Sequence, residues 1–443
     1  MSYCLHCHHT GGVSRSKSSQ WRTIHFSFVL AMGFSTSVVA DEELPFSEHE
    51  FAGKVSLVAS VSDAITGQDA ASMSRLEGDD SFDLKGQVAL SYEFTQHQQD
   101  SNWGLFSHLQ LSNEGHGDST EAGVVELYGY YEWALDANSS VTSTVGQMFM
   151  PSSLENSEAF WDSPYNNNFS ALNTWIAEEI RPIGVSFQYD WFADEDAVDF
   201  SAFGVGGGLF MGNDSTTSQS TWRGFSIGRH KTLYAQVLPL PELEQLNDGI
   251  FTVHRKDGSK PFGRDLDSRY GFWLNGYWQM SNDVTFTLSF WDNNGDGQLH
   301  RGEYAWDTQF VIAGAKWQFN DNWLLLIETM HGTTGMGQPA VMGVGVNFQT
   351  SYALLNYEIN QWNMSVRLEQ FDAVDRARFP QESNDGGKAL TLAARWQAFG
   401  QPWSVISELL FIDVDGSRDR QLNNGLFSDE DESQLSLSLS YFF

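Results

Sequence analysis

The last ten residues, Gln434–Phe443 (QLSLSLSYFF), alternate strictly: Leu435, Leu437, Leu439, Tyr441 and Phe443 share one face, and Ser436, Ser438 and Ser440 the other. A period of two sustained over ten residues is the pattern and the length of a tilted strand crossing a bilayer. In water, such a strand at a chain end is an aggregation-prone edge; in a closed barrel both of its sides are paired. The pattern recurs upstream. In Phe82–Phe94, an apolar row of Phe82, Leu84, Val88, Leu90, Tyr92 and Phe94 opposes Asp83, Lys85, Gln87, Ser91 and Glu93. In Trp362–Phe371, Trp362, Met364, Val366 and Leu368 oppose Asn363, Ser365, Arg367 and Glu369. A charged row behind an apolar row is costly in a sandwich core but suits a water-filled lumen. Lys85, Glu93, Arg367 and Glu369 are therefore candidate lumen charges, set either to make a field across a pore or to neutralise one another across strands.

Read along the chain, the alternation predicts strands over 51–60, 82–94, 102–112, 121–134, 140–150, 171–180, 182–190, 221–228, 231–238, 269–280, 284–291, 307–319, 323–331, 349–359, 362–371, 388–399, 403–413 and 434–443. Sixteen strands fit as well as eighteen, because the 171–190 pair and the first strand are weakly patterned. Tight connections such as Asp136–Ser139, Ser281–Asp283 and Asn360–Gln361 alternate with long ones such as Pro151–Ser170, Trp191–Ser220, Pro239–Ser268 and Gly332–Phe348. Short periplasmic turns and long external loops are the expectation for an all-β transmembrane antiparallel β-barrel. With Phe443 in the periplasm, every short turn falls on that side.

The first forty residues belong to targeting rather than to the fold. Arg15, Lys17 and Arg22 precede the short apolar run Ile24–Phe34, and the small residues of Ser37–Ala40 precede Asp41. That order reads as a signal peptide cleaved after Ala40, leaving 41–443 as one barrel. Its leading region is long, which points to a start codon assigned too far upstream, with Val13 a candidate. Cys4-Leu5-His6-Cys7-His8 matches the pattern for covalent haem attachment but lies ahead of the cleavage point. The mature chain then has no cysteine, and so no disulfide and no thiolate-bound metal.

Composition sharpens this picture. The chain carries 32 Phe, 16 Trp and 14 Tyr yet a negative mean hydropathy, which alternation between lipid-facing and water-facing positions explains. A large secreted sandwich or solenoid shares that composition. The formal net charge of -33 argues against a nucleic-acid partner.

Two segments resemble a known group. The terminal Leu439, Tyr441 and Phe443 pattern is similar to the assembly signal of Gram-negative outer-membrane barrels, which implies recognition by the barrel-assembly machinery. Val145-Gly-Gln-Met-Phe-Met-Pro-Ser-Ser-Leu-Glu155 resembles the Gly-Gln-x-x-x-Pro-x-Ser-Leu-Glu stretch of the phosphate-selective porin O/P family. This resemblance implies an outer-membrane porin passing small hydrophilic solutes, with a homotrimer as the default assembly. It also implies a loop, here Ser152–Ser170, that folds inward and narrows the pore. That family's phosphate selectivity depends on Arg and Lys at the constriction. Leu154–Asn173 holds Glu155, Glu158 and Asp162 and neither Arg nor Lys. An acidic or neutral constriction favours cations or uncharged solutes; alternatively, these acids sit on an outer loop and meet no permeant.

Asp292–Glu303 (DNNGDGQLHRGE) fits the calcium-loop spacing. Asp292, Asn294 and Asp296 would supply side-chain oxygens, Gln298 its carbonyl, and Glu303 a bidentate closure around a structural Ca2+. No helix precedes it, so a merely polar turn is the competing expectation. No nucleophile elbow, phosphate-binding loop or dinucleotide fingerprint occurs, which leaves a barrel enzyme without local support. A non-channel barrel plugged by its own loops is the other alternative, and Trp191–Ser220 and Pro239–Ser268 would be its plug.

Overall fold

In a computed structural model, the described residues are 46–62, 82–113, 121–193, 201–240, 244–249, 251–254, 258–281, 283–338, 342–376, 384–397, 401–414 and 431–443. The expected targeting segment, 1–40, lies outside them. Eighteen strands follow in chain order: β1 Phe46–Ser62, β2 Phe82–His97, β3 Ser101–Ser112, β4 Glu121–Asp136, β5 Ser139–Gln147, β6 Ile183–Phe192, β7 Ala202–Met211, β8 Gly271–Ser281 and β9 Val284–Asp292. The two-residue β10 (Leu299–His300) and β11 (Glu303–Tyr304) come next, then β12 Asp307–Gln318, β13 Trp323–Gln338, β14 Met342–Ile359, β15 Trp362–Asp375, β16 Asn384–Gln397, β17 Trp403–Val414 and β18 Glu432–Phe442. All but β10 and β11 join in one closed antiparallel barrel of 16 strands, sealed where β18 pairs with β1.

Alternation places the side chains as the sequence predicts. Along β18, Ser436, Ser438 and Ser440 are buried on the inner face while Leu435, Leu437 and Leu439 are exposed on the outer one. Exposed leucines and valines girdle the outside, among them Val205, Leu274, Leu288, Val366 and Leu409. In water they would form an untenable apolar surface; against hydrocarbon they are matched. Trp103, Trp133, Trp278, Trp317, Trp323, Trp362 and Trp403 are exposed beside the short turns, where indole prefers the membrane interface. The molecule is an outer-membrane type of transmembrane barrel.

The seam shows how a chain end is finished. Gly53 and Phe443 exchange two backbone hydrogen bonds, of 2.8 and 3.0 Å. A Cβ at Gly53 would sit 2.2 Å from the Phe443 ring, so only glycine lets the terminal aromatic lie across β1.

Three expected strands are not strands. Residues 171–180 form helix α1 (Ala171–Glu179), started by Ser170, whose side chain accepts from the Asn173 N–H. Every residue of α1 is buried, so a segment that reads as a membrane strand is a helix enclosed by protein. Residues 221–228 belong partly to helix α2 (Ser218–Arg223), and 231–238 form no strand. Conversely, β7 lies inside the expected loop 191–220. Its sequence AFGVGGGLFM has little strand propensity, but its glycines make room for neighbours: a Cβ at Gly208 would collide with the Trp273 indole at 2.3 Å. The expected loop 332–348 is also largely paired, as β13 and β14 continue to Gln338 and Met342.

Candidate functional site: the lumen and its inserted segments

Two connections leave the long-loop end of the barrel, and their described residues pack largely inside it. One is 148–182, between β5 and β6; the other is 212–270, between β7 and β8. Both hold runs of buried residues, as in Asn213–Gln219 and Phe169–Arg181. The inner faces of β12, β14 and β15 supply Phe310, Phe348 and Phe371 to a core that also contains Trp175 of α1 and Phe225 of the second insert. Trp175 meets Phe310 and Phe348 edge-on, with ring centroids 4.9 and 5.0 Å away. Part of the lumen is therefore a dry core.

Wall carboxylates grip the first insert by its backbone. Glu328 accepts from the Leu154 N–H at 3.0 Å, Glu369 from Ala171 at 2.9 Å and Glu408 from Asn167 at 2.7 Å. Asn168 also donates its amide group to Glu408. Each bond pairs a buried carboxyl oxygen of the wall with a backbone donor of the insert.

The three expected constriction acids part company. Glu155 is fully buried, ion-paired with Arg367 and bonded to the Ser170 N–H and the Asn173 amide. Arg367 also binds Glu369 at 2.9 Å and the carbonyls of Asn168 and Phe169. Of the expected lumen charges, Arg367 and Glu369 thus anchor the insert. Lys85 lies 3.8 Å from Asp83, and Glu93 accepts from the Tyr130 hydroxyl at 2.9 Å. Glu158 and Asp162 line a cavity of about 60 Å3 together with Lys54, Arg229, Lys231 and Arg395. Asp162 bonds Lys54 at 2.8 Å and Lys231 at 2.5 Å, and Glu158 bonds Arg395 at 2.5 Å. Burial pushes the Asp162 carboxyl up, but the two ammonium groups outweigh it and hold it well below the usual carboxylate range. The basic partners missing from Leu154–Asn173 come from the wall and the second insert.

Parity along the strands would have found Arg395 and Glu408, which face inward on β16 and β17. Lys231 carries no such signal, because its segment reads as a strand and folds as an insert.

The residues of the calcium-like loop take protein partners. Glu303 binds Arg264 at 3.0 Å, Asp296 binds His300 at 3.0 Å and accepts from the Gln298 N–H, and Asp292 accepts from the Asn294 N–H. Asp292, Asp296 and Glu303 are not among the described carboxylates whose oxygens gather within 4.8 Å of one another. The carboxylates that come together nearby are Asp214, Asp265 and Asp267, whose oxygens lie within 4.8 Å of one another. Such a set can coordinate a hard cation. The Asp296 N–H donates to Asp267 at 3.0 Å, so the two features adjoin.

A closed 16-stranded barrel with an inward-folded connection after its fifth strand is porin-like architecture. Solved structures agree at the level of fold. The chain matches an anion-selective porin from Comamonas acidovorans at 12% identity and TM-score 0.51, over 90% of this chain and 100% of that one. It matches a loop-deletion mutant of OmpT, an outer membrane protein of Vibrio cholerae, at 10% identity and TM-score 0.50, over 90% and 99% of the two chains. No protein-family model and no curated protein sequence matches it.

Proposed function

We propose that the chain is an outer-membrane diffusion channel for small hydrophilic solutes, catalysing no reaction. The observation that carries this reading is the polar cavity between the first insert and the wall of β1, β2 and β16–β18. There Ser56, Gln87, Ser404, Ser438 and Ser440 offer hydroxyl and amide groups beside the paired charges. Glu158 is bound by Arg395 and Asp162 by both Lys54 and Lys231, and with Arg229 the cations of the described lining outnumber the acids by two. The field is therefore weakly positive, and uncharged solutes are favoured over strong ion selection. The resemblance of 145–155 to the phosphate-selective porin O/P family supports the porin reading without that family's anion preference. Its default trimer, signal-peptide cleavage after Ala40 and recognition of the terminal strand by the assembly machinery belong to the same proposal.

Conductance of the refolded protein in a planar bilayer under a salt gradient tests it. Discrete openings with a reversal potential near zero are expected. Absence of openings would overturn the channel reading, and a strong anion potential would overturn the weak selectivity.

One observation favours a second reading, a barrel plugged by its own segments. Trp175, Phe225, Phe310 and Phe348 are buried in one apolar cluster, and Trp222 and Phe251 of the second insert form a further cluster with Trp306, which precedes β12. The same bilayer measurement separates the two readings.

A further inference from the structure

The cavity is bounded on one side by a short strap, Glu158–Asp162, closed on itself by a 3.0 Å hydrogen bond from the Glu158 N–H to the Asp162 carbonyl. At its apex Phe160 and Trp161 both adopt positive φ, 65° and 55°, a conformation non-glycine residues hold only when their surroundings impose it. What imposes it is visible. Lys54 and Lys231 hold Asp162, Arg395 holds Glu158, Lys231 donates to the Phe160 carbonyl at 2.8 Å, and Trp161 stacks on Phe149 at 4.2 Å.

Beneath the apex lies His108 of β3. Its side chain is fully buried, and neither ring nitrogen has a hydrogen-bond partner among the described residues. Its ring meets Phe160 edge-on at 5.2 Å, and its nearest carboxylate, Glu126 of β4, is 4.0 Å away. The charged groups bearing on it are Glu126, Asp162 of the strap, Lys231 of the second insert, Arg181 at the end of the first insert and Lys54 of β1. Three cations face it against two acids. Glu126 is already engaged by the Phe149 N–H at 2.9 Å, and Asp162 by two lysines.

We propose that His108 is an acid sensor whose protonation releases the strap from the β3 wall and widens the passage. A charged imidazole enclosed without hydrogen-bond partners is strongly disfavoured, whereas the same ring exposed to lumen water is not. The released arrangement therefore binds the proton more tightly, and by linkage acid shifts the population towards it. The strap is the element able to move: it is short, its backbone is held in an unfavourable conformation, and its tethers are side-chain contacts.

The widening rests on the channel reading, but the motion has a readout of its own. Residues 41–443 hold no cysteine, so Ser163→Cys beside the strap gives one reactive thiol in the mature chain. Its labelling by a methanethiosulfonate reagent at pH 5 should be at least severalfold faster in the His108-containing protein than in His108→Gln, with the two equal at pH 8. Single-channel conductance should rise on acidification in the parent and stay flat in His108→Gln. A second variant, Phe160→Ala, removes the ring covering His108 and should move both transitions to higher pH. Equal labelling and equal pH profiles with and without His108 would overturn the sensor. Silent bilayers with His108-dependent labelling would overturn the channel reading and leave the sensor standing.

Discussion

At the scale of single residues, the lumen is governed by Arg367. Its guanidinium bridges Glu155 of the insert and Glu369 of the wall, and all three side chains are buried. Arg367→Met leaves two carboxylates enclosed without their cation, a change that costs about 3–5 kcal/mol in buried pairs. The urea midpoint of the refolded barrel should fall accordingly, and an unchanged midpoint would remove Arg367 from its anchoring role. Asp214 behaves differently. Burial, with Asp267 and Asp265 nearby, raises its pKa to about 7 against an opposing hydrogen bond from the Leu266 N–H. A carboxyl raised on folding stabilises its surroundings while protonated in the folded state. That contribution is full below the ordinary carboxylate range and is lost as pH rises through about 7. Amides of the 212–270 insert, corrected for intrinsic exchange, should accordingly be better protected at pH 5 than at pH 8. Asp214→Asn should abolish the difference.

At the scale of elements, helix α1 is held from all sides, and Trp175 is its largest contribution to the dry core. Trp175→Ala removes a fully enclosed indole at a cost of about 3–5 kcal/mol. Because the barrel wall is closed independently by backbone pairing, the loss should appear in the insert. The expected outcome is faster proteolysis of 148–182 and a larger single-channel conductance, with an intact heat-modifiable barrel on gels. Loss of the barrel itself would show that the insert and the wall fold as one unit.

For the whole molecule, the division between lipid and lumen faces makes neighbouring residues opposite in consequence. Leu437 lies on the exposed face at the middle of β18, and Ser438 next to it lines the cavity. Leu437→Arg should destabilise the membrane-inserted barrel by about 2–4 kcal/mol in reversible unfolding from vesicles. Ser438→Asp adds a small carboxylate beside the cations of the cavity, so it should cost far less stability and move the reversal potential towards cations. Comparable stability losses for both would contradict the assigned inside and outside of the barrel.

The sequence alone determined the barrel, its even strand number in the range 16–18 and, for the strands it located, the face turned to lipid. A strict period of two carries all three, as in Gln434–Phe443. It also exposed Arg367, Glu369 and the three insert acids as polar groups needing an explanation. It misread 171–180 and β7, because helix α1 is buried on every side, its polar Asn173, Thr174, Glu178 and Glu179 included, and β7 is rich in glycine, so neither shows its true period. Tertiary structure alone decided what the lumen charges do. Ion pairing depends on distance between segments far apart in the chain: Glu155 meets Arg367, Asp162 meets Lys54 and Lys231, and Glu158 meets Arg395. A count of acids within one loop could not foresee the cations that the wall and the second insert bring to meet them.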